Sequence, residues 1–214
     1  MRKIALDKLD ALFAAIAADK PLYLPVDTTA GACFEPWAEG KKLSESLNTI
    51  RSAKDFFFPQ TENLMDFKVE GKQVEIVDTR KPGEDFVLFG VRACDVRSFA
   101  VLDRVFLAEP ADTYYQDRRA HGIIVSLACT RPVETCFCGT FGIDAAEPEG
   151  DVVCHKTEDA LYLDAKSEKG AALLTSLEAL TEPADEAAVE AQRATIRERL
   201  GKLPLATLSA DAFG

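Results

Sequence analysis

Histidine is scarce in this chain: 214 residues contain only His121 and His155. That weakens any reading built on histidine acid–base chemistry or on zinc held by mixed cysteine and histidine ligands. Basic charge is also short. Asp and Glu number 36 against 25 Lys and Arg, giving a net charge of −11. A phosphate backbone or an anionic membrane needs a basic face, so the balance argues against both as partners. No apolar run approaches the roughly 18 residues of a membrane span. There is no Gly-x-Gly-x-x-Gly, no Walker lysine motif and no Ser-His-Asp pattern, so nucleotide binding and hydrolysis gain no support. The opening Met1-Arg2-Lys3-Ile4 is basic, but the acidic Asp7 and Asp10 come directly after it. That argues against a signal peptide and makes the cytoplasm the expected compartment. The rest is ordinary globular composition, 47% hydrophobic and 29% charged, enough for one buried core and a small appendage.

Leu9, Leu12, Phe13 and Ile16 form one apolar stripe, which predicts a helix over 4–19 stopped by Pro21. Residues 22–26 read as an edge strand, because Pro25 cannot donate in a central ladder. Residues 27–40 read as loop. The run Phe56-Phe57-Phe58-Pro59 allows two readings, a buried core turn or a docking surface beside a cofactor. Val74 to Asp78 alternates like a half-buried strand, with a turn at Lys81-Pro82-Gly83. Phe86 to Phe89 is a buried strand, and a helix comes next with Asp95 as N-cap. After a polar stretch from Asp112, residues 123–127 form a second buried strand.

Strand, helix and strand make a βαβ unit, whose strands are nearly always parallel with a right-handed crossover. Both strand ends then reach one edge of the sheet, where open α/β proteins place their sites. The expected fold is therefore α/β: a mixed sheet containing a βαβ unit, flanked by helices, with a cysteine-rich loop at the strand C-terminal edge. Residues 152–154 and 161–163 suggest a hairpin. Leu173, Leu174, Leu177 and Leu180 suggest a helix broken at Glu182-Pro183, and 184–200 a last, highly charged one. The expected division is an α/β body at 1–180 and a C-terminal helix and linker at 181–214.

Six cysteines need a reason other than secretion, because disulfides are rare in a reducing compartment. Cys94 lies just past the first strand of the βαβ unit and Cys129 just past the second, so the topology brings together thiols 35 residues apart. Cys136 and Cys138 complete a C-x6-C-x-C run in a segment that Pro132 and Gly139 mark as loop. Four thiols match a [4Fe–4S] cluster or an all-cysteine zinc site. The short C-x2–4-C knuckles usual for structural zinc are missing, which favours iron–sulfur, with unmetallated thiols as the remaining reading. A cube on four thiolates carries about −2 charge that a partly buried site must offset. Arg92, Arg97 and Arg131 and the positive end of the helix beginning near Asp95 are the expected compensation. Cys33 and Cys154 read as small buried hydrophobes. Cys154 and His155, as strand neighbours, point to opposite faces and cannot act as a pair.

Asn48-Thr49, the segment Phe56 to Glu62, Phe89-Gly90-Val91-Arg92-Ala93-Cys94-Asp95, Leu127-Ala128-Cys129 and Thr135-Cys136-Phe137-Cys138 together carry a specific resemblance. From about residue 5 to 200 the chain resembles the N-terminal domain of the iron–sulfur β subunit of sulfhydrogenases and the A subunit of anaerobic sulfite reductase. Similar domains accompany heterodisulfide-reductase-type complexes. The resemblance implies an electron relay between a flavin- or nicotinamide-binding partner and a catalytic subunit. It implies Cys94, Cys129, Cys136 and Cys138 as cluster ligands. The family usually continues into a ferredoxin-like region with two C-x2-C-x2-C-x3-C-P runs, and these residues hold none. The resemblance thus implies either an excised domain or a subunit whose dicluster ferredoxin-like partner is a separate chain. The family motif commonly reads Arg-Pro-Cys-Asp, and Ala93 replaces that proline here. Two other functions stand beside the relay. One is a redox enzyme acting on a small sulfur compound, with Asp95 or Cys154 as its acid or thiol. The other is a docking module whose cysteines hold zinc or nothing.

Overall fold

The computed structural model describes residues 1–79 and 83–213, with the side chains at 212 and 213 left out of account. In chain order the elements are β1 (Arg2–Ala5), α1 (Leu9–Asp19), β2 (Leu22–Thr28), β3 (Gly31–Pro36), β4 (Met65–Glu70), β5 (Gln73–Asp78), β6 (Phe86–Val91), α2 (Ala93–Phe106), α3 (Thr113–His121), β7 (Gly122–Leu127), β8 (Val152–Lys156), β9 (Ala160–Ala165), α4 (Glu168–Ser176), β10 (Glu182–Pro183) and α5 (Ala187–Gly201). Eight strands form one sheet in the order β10-β1-β9-β8-β7-β6-β2-β3, while β4 and β5 form a separate two-stranded ribbon. The centre, β2-β6-β7-β8, is parallel, and antiparallel strands flank it on both sides. The chain is therefore an α/β protein with a mixed sheet flanked by helices.

The βαβ unit is β6-α2-α3-β7, with Val87 paired to Ile123 in parallel register. Successive strand residues go to opposite faces. Val87, Phe89, Ile123 and Val125 join Leu12 and Phe13 of α1 and Leu173 and Leu174 of α4 in one core. Leu88, Val91 and Ile124 join Phe99 of α2 and Tyr115 of α3 in the other. The edge-on pair Phe13–Phe89, centroids 5.0 Å apart, adds about 1 kcal/mol beyond area burial. Helix α5 lies over β8 and β9 on the α2 side, burying Val189 against Ala160 and Tyr162.

Several local expectations give way to tertiary context. The segment expected to open a helix at residue 4 is strand β1 at Arg2–Ala5, because β9 offers it a ladder; α1 begins only at Leu9, where the apolar stripe begins. Strand β2 is interior, not an edge. Pro25 is tolerated there because β6 pairs only with Leu22 and Tyr23. The expected loop at 27–40 contains β3, hairpinned to β2, so Cys33 lies on a strand, half-buried. The polar stretch after Asp112 is helix α3, whose Asp112 carboxylate accepts from the N–H groups of Tyr114 and Tyr115 at 3.0 Å. It buries only Tyr115, so it has no stripe to read. Strand β5 is exposed along its whole length, not half-buried. The N-cap of α2 is Arg92, not Asp95, which falls in the first turn. The leucine-bearing helix ends at Ser176, and Glu182–Pro183, expected only to break it, pairs with β1. The turn at Lys81-Pro82-Gly83 falls largely outside the described residues. The 152–163 hairpin forms as expected, with Cys154 opposite Leu163.

Candidate metal centre

Strands β6 and β7 deliver their carboxyl ends side by side, and a cysteine stands within three residues of each end. Gly90 sets the exit of β6. Phe89 pairs with Val125 and Val91 with Ser126, so Gly90 is the extra residue of a β-bulge, at φ +84°. A bulge bends the strand and re-aims the residues beyond it. Arg92 then caps α2 with extended backbone, and Cys94 sits exposed on the first turn. Cys129 lies two residues past β7, buried, its N–H donating to the Ala145 carbonyl at 2.9 Å. Next, the Val133 N–H donates to the Cys136 sulfur at 3.3 Å while the Cys136 N–H returns to the Val133 carbonyl at 2.8 Å. Cys138 opens a 3-10 turn that the left-handed Gly142 ends. Cys129 and Cys138 pack in one small apolar cluster with Ala93, Ala145 and Leu200 of α5.

The thiols act on one another. Partial desolvation by the surrounding chain pushes Cys94 up although the residue as a whole is exposed, its Asp95 neighbour adds to this, and Cys136 contributes more weakly. Burial pushes Cys129 up to about 11; Arg92 opposes this, and Cys138, Cys94 and Cys136 reinforce it. Burial raises Cys138 too, with smaller contributions from Cys94 and Cys136. Four sulfurs from three segments therefore share one electrostatic neighbourhood. Free thiols so placed resist ionising together, and a cationic metal centre would reverse that cost.

Arg92 is the cation of this neighbourhood. Burial lowers its pKa, while Cys129 and Cys94 pull it back up. Its guanidinium donates to the Ala128 carbonyl at 3.3 Å and to the Ser46 carbonyl at 3.2 Å, tying α2 to the segment after β7. Arg97 and Arg131 are exposed. Asp95 is negative beside Cys94, so it adds to the site's charge instead of offsetting it, and its carboxylate accepts from the Ser52 hydroxyl at 2.6 Å. Ser52 caps the 3-10 turn at Ala53–Phe56. Of the three phenylalanines there, Phe57 is fully buried, edge-on to Phe99 at 4.9 Å, while Phe58 is half-exposed. That segment is thus a core turn that also braces the first turn of α2.

Among the described residues, no three or more His, Cys, Asp or Glu side chains close around a point that one metal ion could occupy. A single tetrahedral zinc with bonds of about 2.3 Å draws its sulfurs close together, whereas a cube binds each thiolate through a different iron. The donor set, the half-buried arginine and the backbone N–H groups of Cys94 and Asp95 near the Cys94 sulfur all fit a thiolate-bound anionic cluster. A cleft of about 360 Å³ opens beside Cys136 and Cys138, with Arg197 and Leu200 of α5 on its far wall. Arg197 is tied across it to Asp144 at 2.7 Å. Sequence reasoning missed Ser46, Ser52, Ala145 and Leu200, because no local pattern announces a residue that acts by folding against a distant loop. Cys154 is fully buried in the α1/α4 core, where burial alone drives its pKa upward.

The sheet and its βαβ unit define an α/β domain in which Cys94 and Cys129 lie just past the carboxyl ends of the parallel strands β6 and β7. The chain is 35% identical over 151 residues, 70% of its length, to Sulfhydrogenase 2 subunit beta of Pyrococcus furiosus. The kinship to sulfhydrogenase β subunits that the motifs suggest is thus shown, over part of their length: the chain spans 43% of that relative. No protein-family model and no solved structure matches the chain. Among the described residues, no helix is long and apolar enough to cross a membrane.

Proposed function

We propose that the chain carries one [4Fe–4S] cluster on Cys94, Cys129, Cys136 and Cys138 and serves as an electron relay in a hydrogenase-type or related sulfur-reducing complex. What supports this reading is that the four thiols act on one another, with the half-buried Arg92 opposing the rise at Cys129. When bound, the cluster supplies one-electron exchange. The chain's own residues hold it, offset its charge and limit water around it. Arg92 and the first turn of α2 are the compensating groups; Arg97, exposed, adds long-range positive charge; Asp95 positions the turn through Ser52.

The name of the relative supports placing the chain among subunits of a larger assembly. In this reading its partners are a dicluster ferredoxin-like domain or subunit and a flavin- or nicotinamide-binding subunit, all in the cytoplasm. The α/β body at 1–180 holds the cluster, and segment 181–214 walls the cysteine site through α5 and leads towards the ferredoxin-like partner.

The test is iron, sulfide and zinc content with absorbance and EPR spectra on protein purified without oxygen. The reading expects about four iron and four sulfide per chain and a signal that appears on reduction. No iron under those conditions, or one zinc in its place, would leave a docking module as the better account.

A further inference from the structure

The β4–β5 ribbon stands outside both cores. Its register pairs Phe67 with Ile76 and Val69 with Val74, so these four and Met65 share one face. The opposite face carries Asp66, Lys68, Glu70, Gln73, Glu75 and also Val77. Phe67, Ile76, Val74, Val69 and Met65 are 69%, 67%, 62%, 60% and 53% exposed. An isolated two-stranded ribbon is marginal in water, and this one leaves its apolar side uncovered. The alternation holds along Met65–Glu70 and from Gln73 to Ile76, as in a sheet that has one face buried, and lapses at Val77 and Asp78.

We infer that this face is covered by the same face of a second copy of the chain, giving a two-fold dimer joined by stacked ribbons. Three observations favour a second copy. The five residues expose on the order of 600 Å² per chain, so full cover of both faces removes at most about 1,200 Å² from water, which reaches the lower bound of a specific stable interface. The face is uncharged apart from Asp78 at the end of the row, so it can meet itself without opposing like charges despite the net charge of −11. Stacked sheets lie about 10 Å apart, which sends the two acidic faces outward, separated by more than a Debye length in physiological salt. An isologous contact of this kind closes on itself and stops at two. The cysteine centre takes no part in it.

The experiment is analytical ultracentrifugation of the full chain at 1–100 µM, anaerobically and with reductant present to exclude disulfide links. Wild type is expected to approach twice the 23.4 kDa chain mass with rising concentration. Ile76→Glu is expected to remain at chain mass throughout, and Lys68→Glu, on the charged face, to dimerise like wild type. Circular dichroism and the thermal midpoint of Ile76→Glu report whether the body still folds. A wild type that stays monomeric at 100 µM overturns the inference and makes the ribbon a contact for a different subunit. So does a dimer that survives Ile76→Glu, or one that Lys68→Glu breaks equally.

Discussion

Replacing Gly90 with alanine tests whether the β6 bulge is what aims Cys94. Gly90 sits at φ +84°, where holding an L residue costs about 1–2 kcal/mol. Its Cβ would also stand 3.1 Å from Pro25 Cδ and 3.3 Å from Leu43 Cδ1. The leucine can swing away; the proline ring belongs to β2 and cannot, so overpacking adds about 1–2 kcal/mol. The expected loss is about 2–4 kcal/mol, a fall in Tm of roughly 5–15 °C for a chain of this size. Gly201→Ala is the control, because a Cβ there meets nothing within 4 Å and its φ is ordinary. Chemical denaturation of both variants gives the difference, and iron per chain gives its functional consequence. Gly90→Ala should bind less than a full complement, since any relaxation of the bulge displaces Arg92 and Cys94 together. A Gly90→Ala protein as stable as wild type, with its iron intact, would refute the claim that this bulge positions the centre.

The remaining expectations rest on the same geometry. Cys136→Ser or Cys138→Ser should abolish or degrade the cluster, whereas Cys33→Ser, on β3, should leave iron content unchanged; iron lost from the latter would overturn the ligand assignment. Arg92→Ala should lower the midpoint potential, by tens of millivolts for one nearby positive charge lost at an effective dielectric constant near 20, read by a redox titration monitored by EPR. An unchanged potential would mean that the guanidinium does not act on the cluster. His155 is buried, 3.3 Å from the Arg193 guanidinium, and burial with that charge outweighs Glu147 and Asp164 to hold its pKa below 6.5. The unfolded chain therefore takes a proton that the fold refuses. Stability should fall as pH drops below about 6.5, by up to about 1.4 kcal/mol per pH unit from this group. Denaturation midpoints from pH 7.5 to 5 should show a shallower fall in His155→Gln, and an identical fall would assign the effect to other groups.

Features that depend on period and order could be read from the sequence. Solid apolar runs at 86–89 and 123–127 with a helix between them specified a parallel pair, and the pair in turn put Cys94 and Cys129 at one edge. Features that depend on a distant partner could not. Residues 2–5 are a strand only because β9 lies beside them, and residues 113–121 are a helix braced by the Arg119–Asp103 pair at 3.1 Å more than by any stripe. The ribbon is the sharpest case. Alternation along 74–78 correctly indicated a strand with one apolar side, but alternation says only that a face is suited to burial, not that this chain buries it. A hairpin whose apolar side finds no cover within its own fold carries information about something outside that fold. The cysteines obey the same logic in reverse: each alone is an ordinary thiol, and in the proposed centre it is the bulge at Gly90, the strap of Arg92 and the wall of α5 that join them. Interruption of any of the three should therefore loosen the centre while leaving the four ligands in the sequence untouched.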